Sequence, residues 1–182
     1  MTEAELVRLA RQGDDASWDA LVRLHQEPVF RLAYLLLGDP DDAQDVTQDA
    51  FIRAWKALDR FDAARPLRPW LLRIVSNLAR NRRRSVGRYL AALTRFSQEN
   101  PDAFHPSNDP FEDESSAALW QALQRIKLQY RAVIYLRYFL EMPEAEMAEV
   151  LSVAQGTIKS RLHRALDQLR QIIEQDYSEI LG

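Results

Sequence analysis

The chain has no cysteine among its 182 residues, which excludes disulfide staples, zinc fingers and thiol catalysis and makes the fold indifferent to a reducing compartment. Glycine is scarce, at five, which argues against a sheet-rich or disordered chain, and no glycine-rich phosphate loop occurs. Long apolar runs are missing too. The longest, Leu32 to Gly38, falls far short of the ~20 residues that a membrane span needs. The N-terminus, MTEAELVRLA, carries acids where a signal peptide needs basic residues. A cytoplasmic location without export or membrane insertion is expected. His25, His105 and His163 are scattered and no HExxH occurs, so no metal, cofactor or catalytic residue is expected, and the chain reads as a non-enzyme. With 47% hydrophobic and 28% charged residues, what remains is a mostly helical chain long enough for one ordinary domain or two small ones.

The net charge of -3 conceals a strong segregation, and local charge is what a nucleic acid feels. From Arg65 to Arg95 there are nine arginines and no acid. From Phe96 to Gln124 there are six acids (Glu99, Asp102, Asp109, Glu112, Asp113, Glu114) and no Lys or Arg. A nucleic-acid face followed by a linker fits this order. Residues 96–114 also hold Pro101, Pro106 and Pro110 and few aliphatics, too little apolar surface to fold alone. The predicted organisation is all-α: a helical domain over 1–95, a flexible acidic linker over 96–114 and a second helical domain over 115–182.

Within the first domain, Thr2 and Glu5 have capping-box spacing and open a helix that ends near Gly13. A second helix is predicted from Asp15 to Leu37, closed by Gly38, with Pro28 either kinking it or splitting it. Asp39-Pro40 caps a third, to about Leu58, with Val46, Ala50, Phe51 and Ala54 as its inner stripe. Arg65 to Pro69 reads as a loop, since each proline restricts its own backbone and the preceding residue. A basic helix follows, from Pro69 or Trp70 to beyond Arg84. In the second domain helices are expected from Ser115 to Ile126, Tyr130 to Leu140, after Pro143, and from Gly156 to Ile173.

The segment Glu144 to Leu151, the turn Ser152 to Gln155 and the long last helix match a helix-turn-helix. On a helical wheel, Ile158, Leu162, Ala165, Leu166, Leu169, Ile172 and Ile173 gather on one side. Ser160, His163, Arg164 and Asp167 lie opposite, with Lys159 and Arg161 on the flanks. Arginine can bond a guanine edge bidentately, serine and histidine are shorter readers, and lysine neutralises phosphate. Asp167 repels phosphate, so contact is expected to fade beyond Arg164.

The run Gly156-Thr157-Ile158-Lys159-Ser160-Arg161-Leu162-His163-Arg164-Ala165 resembles the minus-35-reading helix of extracytoplasmic-function (ECF, group 4) sigma factors of the sigma-70 family. Asp42 to Phe51 is similar to the family segment that binds the clamp helices of the RNA polymerase β′ subunit. Phe61, Trp70-Leu71, Arg73-Ile74 and Asn77 are similar to the part that opens and captures the minus-10 element. The resemblance covers nearly the whole chain except the linker.

It implies a promoter-specificity subunit that binds core RNA polymerase at β′ and at the β flap. It would read the minus-35 element as duplex, through Thr157, Lys159, Ser160, Arg161, His163 and Arg164. The minus-10 element would be read as melted single strand, through Phe61, Arg65, Arg68, Trp70, Arg73, Asn77 and Arg80. Polymerase docking would fall to Asp42, Asp45, Gln48, Asp49 and Phe51. Trp70 either packs into the core or flanks a melted base. An anti-sigma factor is a further partner the family admits, the free chain is expected to be a monomer, and the acidic segment is expected to lie across Arg80 to Arg84. The competing reading is a helix-turn-helix regulator that acts on duplex DNA without joining polymerase.

Overall fold

A computed structural model of the chain describes residues 1–93 and 114–176, with the side chains of 1–84, Leu119 and 121–175. Among these residues every regular element is helical. The first domain holds α1 (Glu3–Arg11), α2 (Asp15–Leu37), α3 (Pro40–Ala57), a 3-10 turn (Leu58–Arg60) and α4 (Leu67–Leu93). The second holds α5 (Glu114–Arg125), α6 (Leu128–Ile134), a π-helical turn (Tyr135–Phe139), α7 (Glu144–Leu151) and α8 (Gln155–Asp176). The charged segment expected to form the linker lies almost wholly outside the described residues, so its placement across Arg80 to Arg84 does too.

Local chemistry accounts for most boundaries. Thr2 and Glu5 form the expected reciprocal box, with Thr2 N–H donating to Glu5 Oε2 at 2.7 Å and Glu5 N–H to Thr2 Oγ1 at 3.3 Å. Asp14 caps α2 through the amide of Ser17 and Asp39 caps α3 through the amide of Asp42, each satisfying an otherwise orphaned donor. Gly38 ends α2 in the left-handed region, φ 78°, donating to Tyr34 O at 2.7 Å. That is a backbone form only glycine adopts freely. Helix α2 runs through Pro28 as one element. Leu24, whose carbonyl loses its amide partner there, is exposed, so water can take its place.

Two expectations are corrected. The segment Arg65 to Pro69 is not all loop, because α4 begins at Leu67. Pro69 then falls in the first turn, where a missing N–H breaks no intrahelical bond. The span Tyr130 to Leu140 is not one regular helix. It starts at Leu128 and widens into a π turn, with Leu140 N–H reaching Tyr135 O at 3.2 Å.

The first domain buries Leu21, Val29 and Leu32 of α2, Val46, Ala50 and Ala54 of α3, and Leu71, Leu72 and Val75 of α4. The second buries Tyr130, Val133, Leu136, Met147, Val150, Ile158 and Ala165. All belong to one continuous apolar cluster, since α2 packs on α6 and α4 on α7. Each fully buried aliphatic side chain stabilises by roughly 1.5–3 kcal/mol relative to exposure.

His25 is buried to 4% exposure and its Nε2 lies 2.9 Å from Glu3 Oε2. Burial pushes the ring's pKa below 6.5, outweighing the opposing pull of the Glu3 carboxylate, and Arg68 adds to the depression. The fold therefore holds the neutral ring, whereas the unfolded chain protonates His25 from about pH 6.5 downward. There the unfolded state binds more protons, so this contribution is complete above about pH 6.5 and is lost as pH falls toward the depressed folded value. Urea unfolding as a function of pH is expected to show a steeper acid loss for wild type than for His25→Gln, by at most about 1.4 kcal/mol per pH unit. Equal slopes would exclude a neutral buried His25.

Candidate nucleic-acid interface

Helix α8 emerges from a tight turn in which Ser152 takes φ 54° and Val153 N–H returns to Ala148 O. Its inner side carries Ile158 and Ala165, both fully buried, with Leu162, Leu169 and Ile172 packed against the core. Leu166 departs from the wheel and is 40% exposed. The opposite side presents Lys159, Ser160, His163 and Arg164 to solvent, while Thr157 and Arg161 are half-buried. Ser160 Oγ donates to Thr157 O at 3.0 Å and keeps its lone pairs outward. His163 Nε2 lies 3.4 Å from Asp167 Oδ2, which places the acid one turn beyond His163.

The second surface is built by the segment 61–66 and α4. Phe61 is buried, its ring centroid 4.8 Å from that of Trp70. Trp70 is half-buried, so of its two alternatives neither is complete: one side packs on Phe61 and the rest borders a recess of about 250 Å³. Arg60, Asp62, Arg65, Pro66 and Arg73 also line that recess. Farther along α4, Arg73 and Asn77 are exposed and Arg80 half-buried, at spacings of four and three that keep them on one helical face. Arg68 is half-buried and donates to Leu140 O at 3.3 Å. Positive charge beside an aromatic-floored recess is the combination that holds unpaired bases. Phe61, although 7% exposed, also lines the recess and braces Trp70 there.

The third surface is the outer face of α3. Asp45, Gln48 and Asp49 are exposed and Asp42 half-buried. Arg82 donates to Asp42 Oδ1 at 2.5 and 2.9 Å and reaches Asp45 Oδ2 at 3.4 Å, and the bond to Asp42 raises its pKa further. Phe51 points inward, 9% exposed and edge-on to Trp18, which takes it out of any docking face. Ile52 and Trp55, at 51% and 38% exposure, stand there instead. A wheel of α3 carried that signal, since Gln48, Ile52 and Trp55 follow one another by four and three residues. The pairing of Arg82 across forty positions had no sequence signal. Among the described residues no group of three or more His, Asp or Glu is placed to hold a metal ion, and no helix is long and apolar enough to cross a membrane.

In this arrangement α7 covers the recess beside Trp70. Glu146 and Glu149 complete its lining, and Arg65 Nη2 donates to both carboxylate oxygens of Glu149 at 2.9 Å. Arg80 donates to Leu151 O, at the end of α7, at 3.1 Å. Arg131 of α6 bonds Ile126 O and Gln124 within its own domain and reaches Leu35 O of α2 at 3.4 Å. Burial, with Arg83 nearby, lowers the pKa of Arg131 to about 10, still charged at neutral pH.

Comparison with known proteins matches residues 21–89 to sigma-70 region 2 and residues 116–169 to sigma-70 region 4. The chain is similar to the ECF RNA polymerase sigma factor SigW of Bacillus subtilis, 33% identical over 174 residues that cover 91% of this chain and 93% of that protein. Among solved structures it resembles CnrH in complex with the cytosolic domain of CnrY, with TM-score 0.68, 27% identity and coverage of 96% and 98%. It also shares its fold with the sigma factor RpoE in complex with the anti-sigma factor NepR from Bartonella quintana, with TM-score 0.70, 24% identity and coverage of 87% and 97%.

The Arg65–Glu149 pair is more than half exposed on both sides, so it contributes about 0–1 kcal/mol, whereas Leu36 of α2 and Ala132 of α6, on helices that pack across the domain contact, are buried. Apolar burial, not charge, is therefore expected to keep the domains together. Small-angle scattering of the free chain should change little between about 0.1 M and 1 M salt, across which the Debye length falls from about 10 Å to about 3 Å. Ala132→Glu should open the domains with helicity retained. A compact form that salt disperses would show the reverse balance.

Proposed function

Since the chain belongs to the ECF sigma factors of the sigma-70 family and so serves transcription initiation, we propose that it joins core RNA polymerase through α3 and reads two promoter elements. The first domain, 1–95, takes the minus-10 element as melted single strand and the second, 115–182, takes the minus-35 element as duplex, with 96–114 as the tether. The observation that carries this reading is the exposed row Lys159, Ser160, His163 and Arg164 on the first turns of a helix whose other side is buried. Such a helix enters the major groove with its N-terminal side chains at the base edges.

Roles divide by chemistry and exposure. Ser160, His163 and Arg164 face base edges, and Lys159, Arg161 and Thr157 position the helix on phosphates. Arg65, Arg73, Asn77 and Arg80 follow the nontemplate strand, with Arg68 adding charge beside them. The edge of Trp70, braced by Phe61, borders the recess for an extruded base, whose removal from the stack costs a few kcal/mol that these contacts offset. Asp45, Gln48, Asp49, Ile52 and Trp55 meet the β′ clamp helices, and the second domain meets the β flap. The chain supplies binding energy and no catalytic group, acts in the cytoplasm with polymerase, and is a monomer when free. An anti-sigma factor, as RpoE has in NepR, is a partner of the same class for this chain. Weak binding by each reader suffices, because polymerase ties them together and raises the effective concentration of each.

Size-exclusion of the purified chain with bacterial core polymerase is expected to give co-elution that Asp49→Arg abolishes. Run-off transcription from promoters recovered by transcript mapping should require both elements. Arg164→Ala should weaken minus-35 discrimination by about 5- to 150-fold, the equivalent of about 1–3 kcal/mol. Tight, sequence-specific duplex binding by the chain alone, with no polymerase association, would transfer it to the independent regulators.

A further inference from the structure

Helix α1 lies outside both stretches that match sigma-70 regions, yet its two ends hold the segment that leads into α4. At the entry, Arg11 Nε donates to Leu58 O at 2.9 Å and Arg11 Nη2 donates to Phe61 O. At the exit, Leu67 N–H, the first amide of α4, donates to Glu3 Oε1 at 2.8 Å. The other oxygen of Glu3 lies 2.9 Å from Nε2 of His25, which is itself buried. Between these anchors the backbone turns on Asp62, whose Oδ1 accepts from Ala64 N–H and whose carbonyl accepts from Arg65 N–H. Val7 and Ala10, 1% and 2% exposed, fasten α1 itself to the core.

We infer that α1 is the positioning element of the minus-10 reader, with Glu3 and Arg11 setting the path of residues 61–67. This rests on the assignment of 61–77 to the melted minus-10 strand. Both anchors grip backbone groups, so they fix where the segment runs whatever its side chains are. Residues 3 and 11 are eight positions apart, about 12 Å along a helix. The six residue steps from 61 to 67 reach about 20 Å when extended. With both ends tied to one helix, the chain between them turns on Asp62, and that turn carries Arg65 and Pro66 to the rim of the recess that Trp70 borders. A site held in its binding form loses less freedom when the strand arrives.

The pairing of residue types is specific to the task. Only a guanidinium presents two donors in a fork that spans the carbonyls of Leu58 and Phe61, and only a carboxylate or an amide accepts from Leu67 while engaging His25 with its second atom. Glu3→Gln keeps an acceptor for Leu67 and offers a donor to His25. Arg11→Lys keeps charge and stem but cannot span both carbonyls.

The test uses holoenzyme reconstituted with bacterial core polymerase and a nontemplate-strand oligonucleotide selected from a randomised pool by the wild type, compared with a scrambled strand of the same composition. Glu3→Ala and Arg11→Ala are expected to cut the preference for the selected strand by about tenfold. Polymerase affinity and binding to the scrambled strand should stay unchanged, and Glu3→Gln should restore the preference. If the alanine variants do not fold, Arg11→Lys is expected to lose part of the preference with an unchanged melting temperature. Wild-type preference in folded Glu3→Ala and Arg11→Ala, or in Arg11→Lys where they do not fold, overturns the inference. Trp70→Ala and Arg73→Ala, run in parallel, separate the two levels. If they lose the preference while the α1 variants keep it, only the role of α1 is lost. If no variant changes it, the assignment of 61–77 falls and the role of α1 falls with it.

Discussion

Backbone carbonyls at the ends of helices must find donors, and in this chain arginine side chains from distant positions supply them. Arg131 reaches Leu35 O and Arg83 reaches Leu36 O at the end of α2, beside the bond of Gly38 to Tyr34 O. Arg80 closes α7 at Leu151, Arg68 meets Leu140 after the π turn, and Arg11 holds Leu58 and Phe61. A cation at a helix C-terminus gains both a hydrogen bond and the favourable end of the helix dipole. Because a guanidinium stays charged at neutral pH and carries five donors, one side chain can serve several carbonyls at once, as Arg131 does. The packing of two small helical domains against each other depends on these bonds to orient what apolar burial brings together.

The same property bears on the proposed promoter binding. A guanidinium that satisfies a carbonyl or a carboxylate inside the protein can satisfy a phosphate instead, so under that proposal Arg65, Arg68 and Arg80 would exchange one set of partners for another. In the packed arrangement Glu149 and the carbonyls of Leu140 and Leu151 occupy them. Among the described residues no bond from the first domain reaches the exposed row on α8, where His163 faces Asp167 of its own helix. Under the proposed function the two readers would differ in readiness. The α8 row stands open on the surface, while the recess beside Trp70 is shared with α7, so binding that favours the separated domains would free that recess.

Most of the local structure was legible in the chain, for reasons that act over a few residues. The box at Thr2 and Glu5, the cap at Asp39, the glycine stop at 38 and the turn before α8 all depend on neighbours in sequence, and all stand where side-chain chemistry put them, to within a residue. The arginine-rich face and the polar row of α8 were legible because helical spacing converts position into direction. What failed depended on partners elsewhere. Leu67 is drawn into α4 by an acceptor sixty-four positions away, on Glu3. The π turn has no local breaker. Phe51 already fell on the inner stripe of α3 by helical spacing, although its segment resembles a docking motif.

The sequence by itself therefore determined an all-helical chain in two domains, the segregation of its charge and the side of α8 that meets solvent, because composition, capping and periodicity are local properties. Only the tertiary structure decided which arginines are engaged, and that α1 holds both ends of the segment before α4. Those outcomes rest on contacts between residues forty to eighty-four positions apart, and no local pattern encodes which distant carbonyl a guanidinium will find.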